Sequence, residues 1–112
     1  MRIWDVPVAE LCRKHLLGEH RELHGLWNIL VHGKTGYSRH PETLRWGGKL
    51  GALRLRHEEQ ALEMRRRGWN HKSPLPAPPV GHSILQYSLV DTVEDQVEFL
   101  RAKDCPCFVG AP

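Results

Sequence analysis

A stretch of polar residues near the start of the chain has the spacing of one helix face. Its members are His15, Gly18, Glu19 and Glu22. Residues three, four and seven positions apart lie above one another on an α-helix. An apolar stripe runs beside this face, so we expect Glu22 to be half-buried at the edge of the core. Such a carboxylate either pairs with a neighbouring cation (Arg13, Arg21 or His15) or stabilises positive charge and moves protons in a reaction.

Histidine and cysteine offer a second kind of chemistry, metal binding. His20 and His24 are four positions apart, a spacing at which two helical imidazoles can hold one zinc ion, with Cys105 or Cys107 supplied by the tail. The sequence contains neither a Cys-x-x-Cys pair nor a His-Glu-x-x-His motif, so we predict no metal site. Cys12 is interpreted as a small buried apolar residue. Three cysteines cannot all pair, and Cys-Pro-Cys does not suit a relaxed disulfide, so we expect reduced thiols.

Residues 15–23, with the sequence HLLGEHREL, resemble the first-helix signature of the phage-type pyrimidine dimer DNA glycosylases, the T4 endonuclease V family. In that family a His-Leu-x-x-Glu-x-Arg-Glu-Leu stretch lies on the first helix, and its Arg-Glu pair sits against the N-terminal amine. Residues 63–70, EMRRRGWN, resemble the family's basic, glycine-stopped second helix. The likeness is close over residues 1–27, fair over 56–74 and thin elsewhere.

The resemblance implies a DNA glycosylase with abasic-site lyase activity. The α-amine of the first residue attacks C1′ of the damaged nucleotide, the base leaves, a Schiff base forms, and β-elimination cuts the strand. An α-amine has a pKa of about 8, so a useful fraction is neutral and nucleophilic without strong tuning. The residue aligned with the family's catalytic carboxylate is Glu22, which would stabilise the cationic transition state and then move protons. No metal or organic cofactor is implied.

The first residue departs from the family pattern. Family members carry Met followed by Thr and Arg-Ile, and Met is removed to expose the Thr amine. Here Met1 is followed directly by Arg2 and Ile3, so Met1 occupies the position of that Thr. The bulky Arg2 blocks excision of Met1. We therefore expect retained Met1 to be the nucleophile.

Five basic residues are expected to bind DNA. Arg2 and Arg21 match family arginines that hold phosphate beside the lesion, and His15 matches a family histidine near the site. A guanidinium suits this role because its planar fork binds phosphate oxygens in pairs. Arg65 and Arg66 end the second long helix, where they are either phosphate ligands or a solvated helix end.

Other departures bear on the substrate. A phosphate-binding arginine of the family is replaced by Gly25, and the third helix is acidic where the family's is basic. The duplex is therefore held differently, or the lesion is not a cyclobutane dimer. Of the four tryptophans, Trp27 is expected in the core. Trp46 is the first candidate to stack on, or wedge beside, an unstacked base.

Two long helices are expected to position the polar face. Residues 8–31 form the first, and its apolar stripe consists of Leu16, Leu23, Trp27 and Leu30. The second runs over residues 49–67, and its stripe consists of Leu50, Leu53, His57, Ala61 and Met64. Gly68 stops this second helix.

A third helix is predicted from Asp91 as N-cap, with Glu94 completing a capping box, to about Lys103. Its apolar stripe consists of Val93, Val97 and Leu100. Between the long helices we expect a short helix starting at residues 40–43, a stiff proline-rich connection over 73–81, and a short strand or an irregular packed segment over 83–89. The predicted fold class is all-α: a compact single domain, residues 1–112, of three principal helices with irregular connections.

Composition agrees with such a domain. The 112 residues are 40% hydrophobic and 26% charged, and the net charge of +3 permits a polyanionic partner without requiring one. No apolar run long enough to span a membrane and no secretory signal is visible. We expect a cytoplasmic, nucleoid-associated monomer that acts on damaged double-stranded DNA.

Two rival functions predict different behaviour. A non-catalytic helical DNA-binding or adaptor module would bind DNA without cleaving it. A histidine-based metal hydrolase would be inhibited by a chelator, whereas the amine mechanism would be indifferent to one.

Overall fold

Four α-helices and one turn of 3-10 helix make up the regular structure in a computed structural model that describes residues 2–33, 40–71, 73–103 and 105–108. The 3-10 helix is Val8–Glu10, and the α-helices are α1 (Arg13–His32), α2 (Pro41–Arg45), α3 (Leu50–Arg66) and α4 (Val93–Arg101). These described ranges contain no strand. The prediction of an all-α fold with three principal helices is therefore confirmed.

The first helix begins later than predicted. The 3-10 turn ends at Glu10, the chain is extended at Leu11, and α1 starts only at Arg13. The reason lies on the end of α3, where the Arg67 guanidinium donates a 2.6 Å hydrogen bond to the carbonyl oxygen of Leu11. The Leu11 carbonyl oxygen is therefore bonded to Arg67 rather than to the backbone of a continuous helix. At the other end, Gly33 closes α1 in the left-handed conformation with φ of 63°.

The later helices lie close to their predicted positions, with corrections at the ends of α4. Helix α3 has nearly the predicted bounds, and α2 follows His40 as expected. The N-cap of α4 is Thr92, whose hydroxyl accepts a 3.1 Å bond from the Asp95 amide, so the predicted Asp91 cap is off by one residue. Of the predicted α4 stripe, Leu100 is buried, whereas Val93 is exposed. A short helix of this kind needs few core contacts.

Helices α1 and α3 form the centre of the core, and two groups of buried residues lie along them. Members of the first group on these helices are Leu23, Leu26, Trp27, Leu50, Ala52 and Leu53. The second group includes Val6, Leu11, Leu16, Met64, Leu100 and Cys107. Burial of each large apolar side chain contributes about 1.5–3 kcal/mol. The predicted stripes of α1 and α3 are confirmed, with Leu30 only partly buried.

The segment over residues 83–89 is irregular and packs on the start of α3. The Ser83 amide donates to the Gly48 carbonyl, and the Ser83 carbonyl accepts from the Ala52 amide, both at 2.9 Å. A Cβ on Gly51 would lie 2.8 Å from the Ser83 oxygen, so the close approach requires glycine there. Among the described helices, none combines the length and apolar character needed to cross a bilayer.

Candidate active site

Residues 3–5 are held by a set of side chains that we call the N-terminal clamp: Glu19, Glu42, Arg45 and Gln96. Each of the three backbone N–H groups donates to a different clamp residue. The acceptors are Glu42 for residue 3 at 3.3 Å, Glu19 for residue 4 at 2.7 Å, and Gln96 for residue 5 at 2.7 Å. Three different helices supply these acceptors, so the segment is fixed by the tertiary fold.

The carboxylate of Glu19 is saturated with donors. Its side chain is only 2% exposed. Arg56 donates to both oxygens, at 2.9 and 3.0 Å, and the Gln60 amide makes a further short hydrogen bond. A buried carboxylate with this many hydrogen-bond donors is held in one orientation. Glu19 therefore positions the backbone of Trp4.

The carboxylate of Glu42 accepts several hydrogen bonds at one oxygen, Oε1. Arg45 pairs with it at 2.7 Å, and the indole N–H of Trp46 donates to it at 3.1 Å. Arg45 also donates to the carbonyl of Ile3 at 2.8 Å and pairs with Asp5 at 3.0 Å. Both the N–H and the C=O of Ile3 are thus bonded to the clamp.

A cavity of about 270 Å³ opens beside the clamped segment. Its walls consist of Arg2, Trp4, Lys14, His15, Gly18, Glu19, Glu22 and Lys103. The four α1 residues whose spacing predicted one helix face all line it, so that prediction is confirmed. Three cations and two carboxylates therefore surround a space next to the start of the chain.

Glu22 lies half-buried in the wall of this cavity, as predicted. Within the described part of the chain its carboxylate makes no hydrogen bond and no ion pair. The surface pairs considered from the sequence, with Arg13, Arg21 or His15, are not formed. The cavity thus contains a carboxylate that the fold does not use.

Arg2 directly precedes the clamped segment and also lines the cavity. It pairs with Asp91 at 2.9 Å, and its guanidinium carbon lies 4.8 Å from the centre of the Trp4 ring. Its Nε and Nη2 atoms are buried and have no hydrogen-bond partner among the described residues. Unsatisfied guanidinium donors of this kind suit an anionic ligand.

His15 faces both the cavity and a group of sulfur atoms. Its Nδ1 lies 3.1 Å from the sulfur of Cys12 and 3.3 Å from that of Cys107. Burial is the main cause that lowers the pKa of His15, and the positive charges of Lys103 and Lys14 lower it further. The ring is therefore a neutral wall of the cavity near pH 7.

A family comparison decides what kind of protein has this arrangement. The model of the family described as pyrimidine dimer DNA glycosylase matches residues 1–77 of the 112. The chain belongs to the pyrimidine dimer DNA glycosylase family. The matched residues include most of the clamp and all of the cavity wall except Lys103. Membership indicates a DNA glycosylase, with DNA as the molecule it binds. No curated protein and no solved structure gives a significant match.

The nucleophile predicted for this glycosylase family member is Met1, which lies outside the residues that the structure describes. Arg2 is the first described residue. The role of Met1 therefore stays a prediction.

The remaining arginines predicted to bind DNA lie away from the cavity. Arg21 is exposed on α1 and is not part of the cavity wall. Arg65 and Arg66 are exposed at the end of α3, where Arg66 pairs with Glu63 at 2.5 Å. Hydrogen bonding from Arg66 is the main cause that lowers the pKa of Glu63 to about 2. Neither Arg65 nor Arg66 lines the cavity, and their role as phosphate ligands stays a prediction.

The prediction for Trp46 is wrong. Its side chain is 4% exposed and belongs to the first core group. Its indole N–H is bonded to Glu42, and the Arg45 guanidinium stacks on its ring at 4.8 Å. A residue held in this way cannot stack on a base. The tryptophan that lines the cavity is Trp4, whereas Trp27 is in the core as predicted.

Sequence reasoning missed two lysines in the cavity wall and most of the clamp. Lys14 stands four residues before Gly18 and eight before Glu22, so helical spacing could have identified it. Glu42 and Gln96 act through contacts 39 and 91 residues apart in the chain, for which a single sequence carries no signal.

Two groups of side chains in the described residues could hold a metal ion. One consists of Cys12, His15, Cys105 and Cys107, and the other of His20, His24 and His57. The sequence-based grouping of His20 and His24 with a tail cysteine is not formed, because the tail packs on the start of α1. Neither group includes Glu22.

Proposed function

We propose that this protein is a bifunctional DNA glycosylase and abasic-site lyase, acting on a damaged pyrimidine with the α-amine of Met1 as nucleophile. The observation that carries the proposal is the unpaired carboxylate of Glu22 in a cavity whose wall includes Arg2 and Trp4. Covalent geometry keeps the Met1 amine within about 4 Å of the Arg2 nitrogen. The clamp on residues 3–5 therefore restricts where that amine can be.

In the first stage of the reaction, the amine replaces the nucleobase at C1′ of the sugar. The neutral amine donates its electron pair to C1′ of the nucleotide, and the bond between C1′ and the base breaks. The base leaves with that electron pair and takes up a proton. Opening of the sugar ring then gives an imine between C1′ and the amine. Positive charge develops on the sugar throughout, and the Glu22 carboxylate stabilises it in a site that partly excludes water.

The second stage cuts the strand. A general base removes a proton from C2′. The electron pair of the broken C2′–H bond forms a C2′–C3′ double bond, and the C3′ oxygen leaves with its phosphate. Water then hydrolyses the imine and releases the free amine. Glu22 is suited to accept the C2′ proton because no other described group occupies its lone pairs. Arg2, a cation in the wall of the cavity, is suited to hold a phosphate beside the lesion.

The cavity offers competing amines, Lys14 and Lys103. An α-amine has a pKa of about 8 and a lysine amine a pKa of about 10.4, so near pH 7 the neutral fraction of the α-amine is more than about 100-fold larger. The two lysines are better suited to attract phosphate as cations. This chemical difference favours Met1.

Borohydride trapping on an abasic duplex tests the assignment. The reagent reduces the imine to a stable amine, and peptide mapping then identifies the residue attached to the sugar. We expect the sugar on the amine of Met1, and a variant with one extra residue before Met1 should lose trapping. Attachment to Lys14 or Lys103, or to a chain that lacks Met1, would overturn the assignment. DNA binding with no trapped species would favour the non-catalytic module.

A further inference from the structure

Three cysteines and a histidine from distant parts of the chain converge at the start of α1. Cys12 and His15 come from the N-terminal end of that helix, and Cys105 and Cys107 from the tail after α4. The three sulfurs and one imidazole nitrogen all lie within 4.8 Å of one another. From this geometry we propose that the four side chains bind one zinc ion, which fastens the tail to α1.

The ligand set is the one that zinc prefers in structural sites. Such sites are closed and tetrahedral, and three thiolates with one imidazole is a common combination. Zinc bonds of about 2.3 Å to sulfur and about 2.0 Å to nitrogen place neighbouring ligand atoms about 3.5–3.8 Å apart. The imidazole nitrogen of His15 lies 3.1 and 3.3 Å from two of the sulfurs, so small movements would reach that geometry.

Two features at the start of α1 stabilise negative charge on sulfur, and they oppose the burial that raises the pKa of Cys107 to about 12. The backbone N–H of Cys12 donates to the sulfur of Cys107 at 3.0 Å, and such a bond stabilises a charged sulfur. Cys12 is the N-cap of α1, where the helix dipole favours negative charge. Binding of the ion releases the three thiol protons, and the imidazole supplies its lone pair without losing a proton.

The backbone of the tail is shaped to bring its two sulfurs inward. Phe108 follows Cys107 directly and has a φ of 64°, in the left-handed region that a non-glycine residue seldom adopts. Its N–H donates to the carbonyl of Glu10 at 3.0 Å, which ties the tail to the 3-10 turn. Cys107 is buried, although residues 105–108 belong to no helix.

A route for the ion is present. A surface groove of about 390 Å³ leads to the cluster, and Cys12, Cys105 and Pro106 are among its lining residues. The tail lies outside the segment that matches the glycosylase family, which ends at residue 77. The zinc site is therefore a proposal about this chain, and it does not rest on the proposed catalytic mechanism.

Metal analysis of the purified full chain tests the proposal. The protein is prepared under reducing conditions without chelator, and we expect one zinc ion per chain. After removal of zinc, added Co²⁺ should give the visible absorption bands of a tetrahedral thiolate site. A metal-free preparation whose melting temperature is unchanged by added zinc would overturn the proposal, as would a Cys105–Cys107 disulfide in that preparation.

Matched variants locate the ion. Cys105→Ser removes a half-buried ligand and should weaken zinc binding by about 100-fold or more, since even the loss of a group that only orients a ligand costs about 10–100-fold. The control is His24→Gln, which alters the separate histidine group and should keep full zinc content. Zinc retained in Cys105→Ser but lost in His24→Gln would overturn the assignment. The Cys105 thiol donates a weak hydrogen bond to the Leu100 carbonyl at 3.6 Å, and serine can replace this donor, so we expect the variant to fold.

Discussion

Glu19 and Glu22 lie one helical turn apart on α1 and both face the same cavity, yet their surroundings are opposite. Glu19 is buried and accepts hydrogen bonds from Arg56, Gln60 and the backbone of Trp4. Glu22 is half-buried and makes no bond to a described residue. The saturated carboxylate has no capacity left for a substrate, and the unsaturated one contributes nothing evident to the fold. In the proposed mechanism, Glu19 positions the backbone and Glu22 carries out the chemistry.

The largest predicted effect is on Glu22. In the proposed mechanism Glu22→Gln removes the charge that stabilises the sugar cation and the base that accepts the C2′ proton. We expect strand cleavage of an abasic duplex, measured under single-turnover conditions, to fall by about 10²–10⁴-fold. The melting temperature should stay that of the wild type, because no fold contact is lost. Wild-type cleavage in this variant would break the proposed division of roles.

Glu19 should show the reverse pattern. Glu19→Ala removes the main ion-pair partner of the partly buried Arg56 and the acceptor of the Trp4 amide. We therefore expect the free energy of unfolding to fall by about 3–5 kcal/mol. Denaturant titration measures it. The matched control is Glu59→Ala, which removes an exposed carboxylate 3.9 Å from the same arginine and should cost less than about 1 kcal/mol. Equal losses in the two variants would show that the clamp does not depend on Glu19.

Two glycines of α1, one in the cavity wall and one outside it, test whether the substrate binds in the cavity. A Cβ on Gly18 or Gly25 would meet no atom within 4 Å, but only Gly18 lines the cavity. Gly18→Leu should lower cleavage by about 100-fold by displacing the nucleotide, and Gly25→Leu should leave it unchanged. Both should fold at least as stably as the wild type, because Leu has the higher helix propensity. Equal activity in the pair would place the substrate elsewhere.

The smallest predicted effect is a loss of folding stability at low pH. Burial is the main cause that lowers the pKa of His20 to about 4 in the folded chain, against an ordinary value of 6.5, while its bond to Gln60 acts in the opposite direction. The rings of His24, His57 and His71 also face it. Between these two pKa values the unfolded chain binds more protons, so His20 stabilises the fold above pH 6.5 and loses that contribution as pH falls towards 4.

We expect this loss to be about 1–2 kcal/mol, because His20 is half-exposed and solvent screens the effect. Urea midpoints at a series of pH values measure it, and His20→Gln should flatten the slope in that window. An unchanged slope in His20→Gln would assign the acid sensitivity to another group. Gln60 bonds both His20 and Glu19, so we expect protonation of His20 to disturb the clamp.

The features predicted correctly from the sequence are those with a local cause. The polar face of α1 and the apolar stripe of α3 follow from helical periodicity alone. The break before α1 was not predicted, because the group that stabilises it is Arg67, 56 residues away from Leu11. The burial of Trp46 was missed for the same reason: an indole suits a core as well as a base, and only the contact with Glu42 decides between them.

The clamp bonds main-chain atoms, so the side chain at position 4 can vary without loss of these bonds. Glu19 bonds the amide of Trp4, while the indole ring of the same residue lines the cavity. A different side chain there would change the wall of the cavity without removing the hydrogen bonds that hold residues 3–5. Proline is the exception, since it lacks the N–H that Glu19 holds. If the cavity binds the damaged nucleotide as proposed, substitutions at position 4 should change lesion preference while residues 3–5 stay held by the clamp.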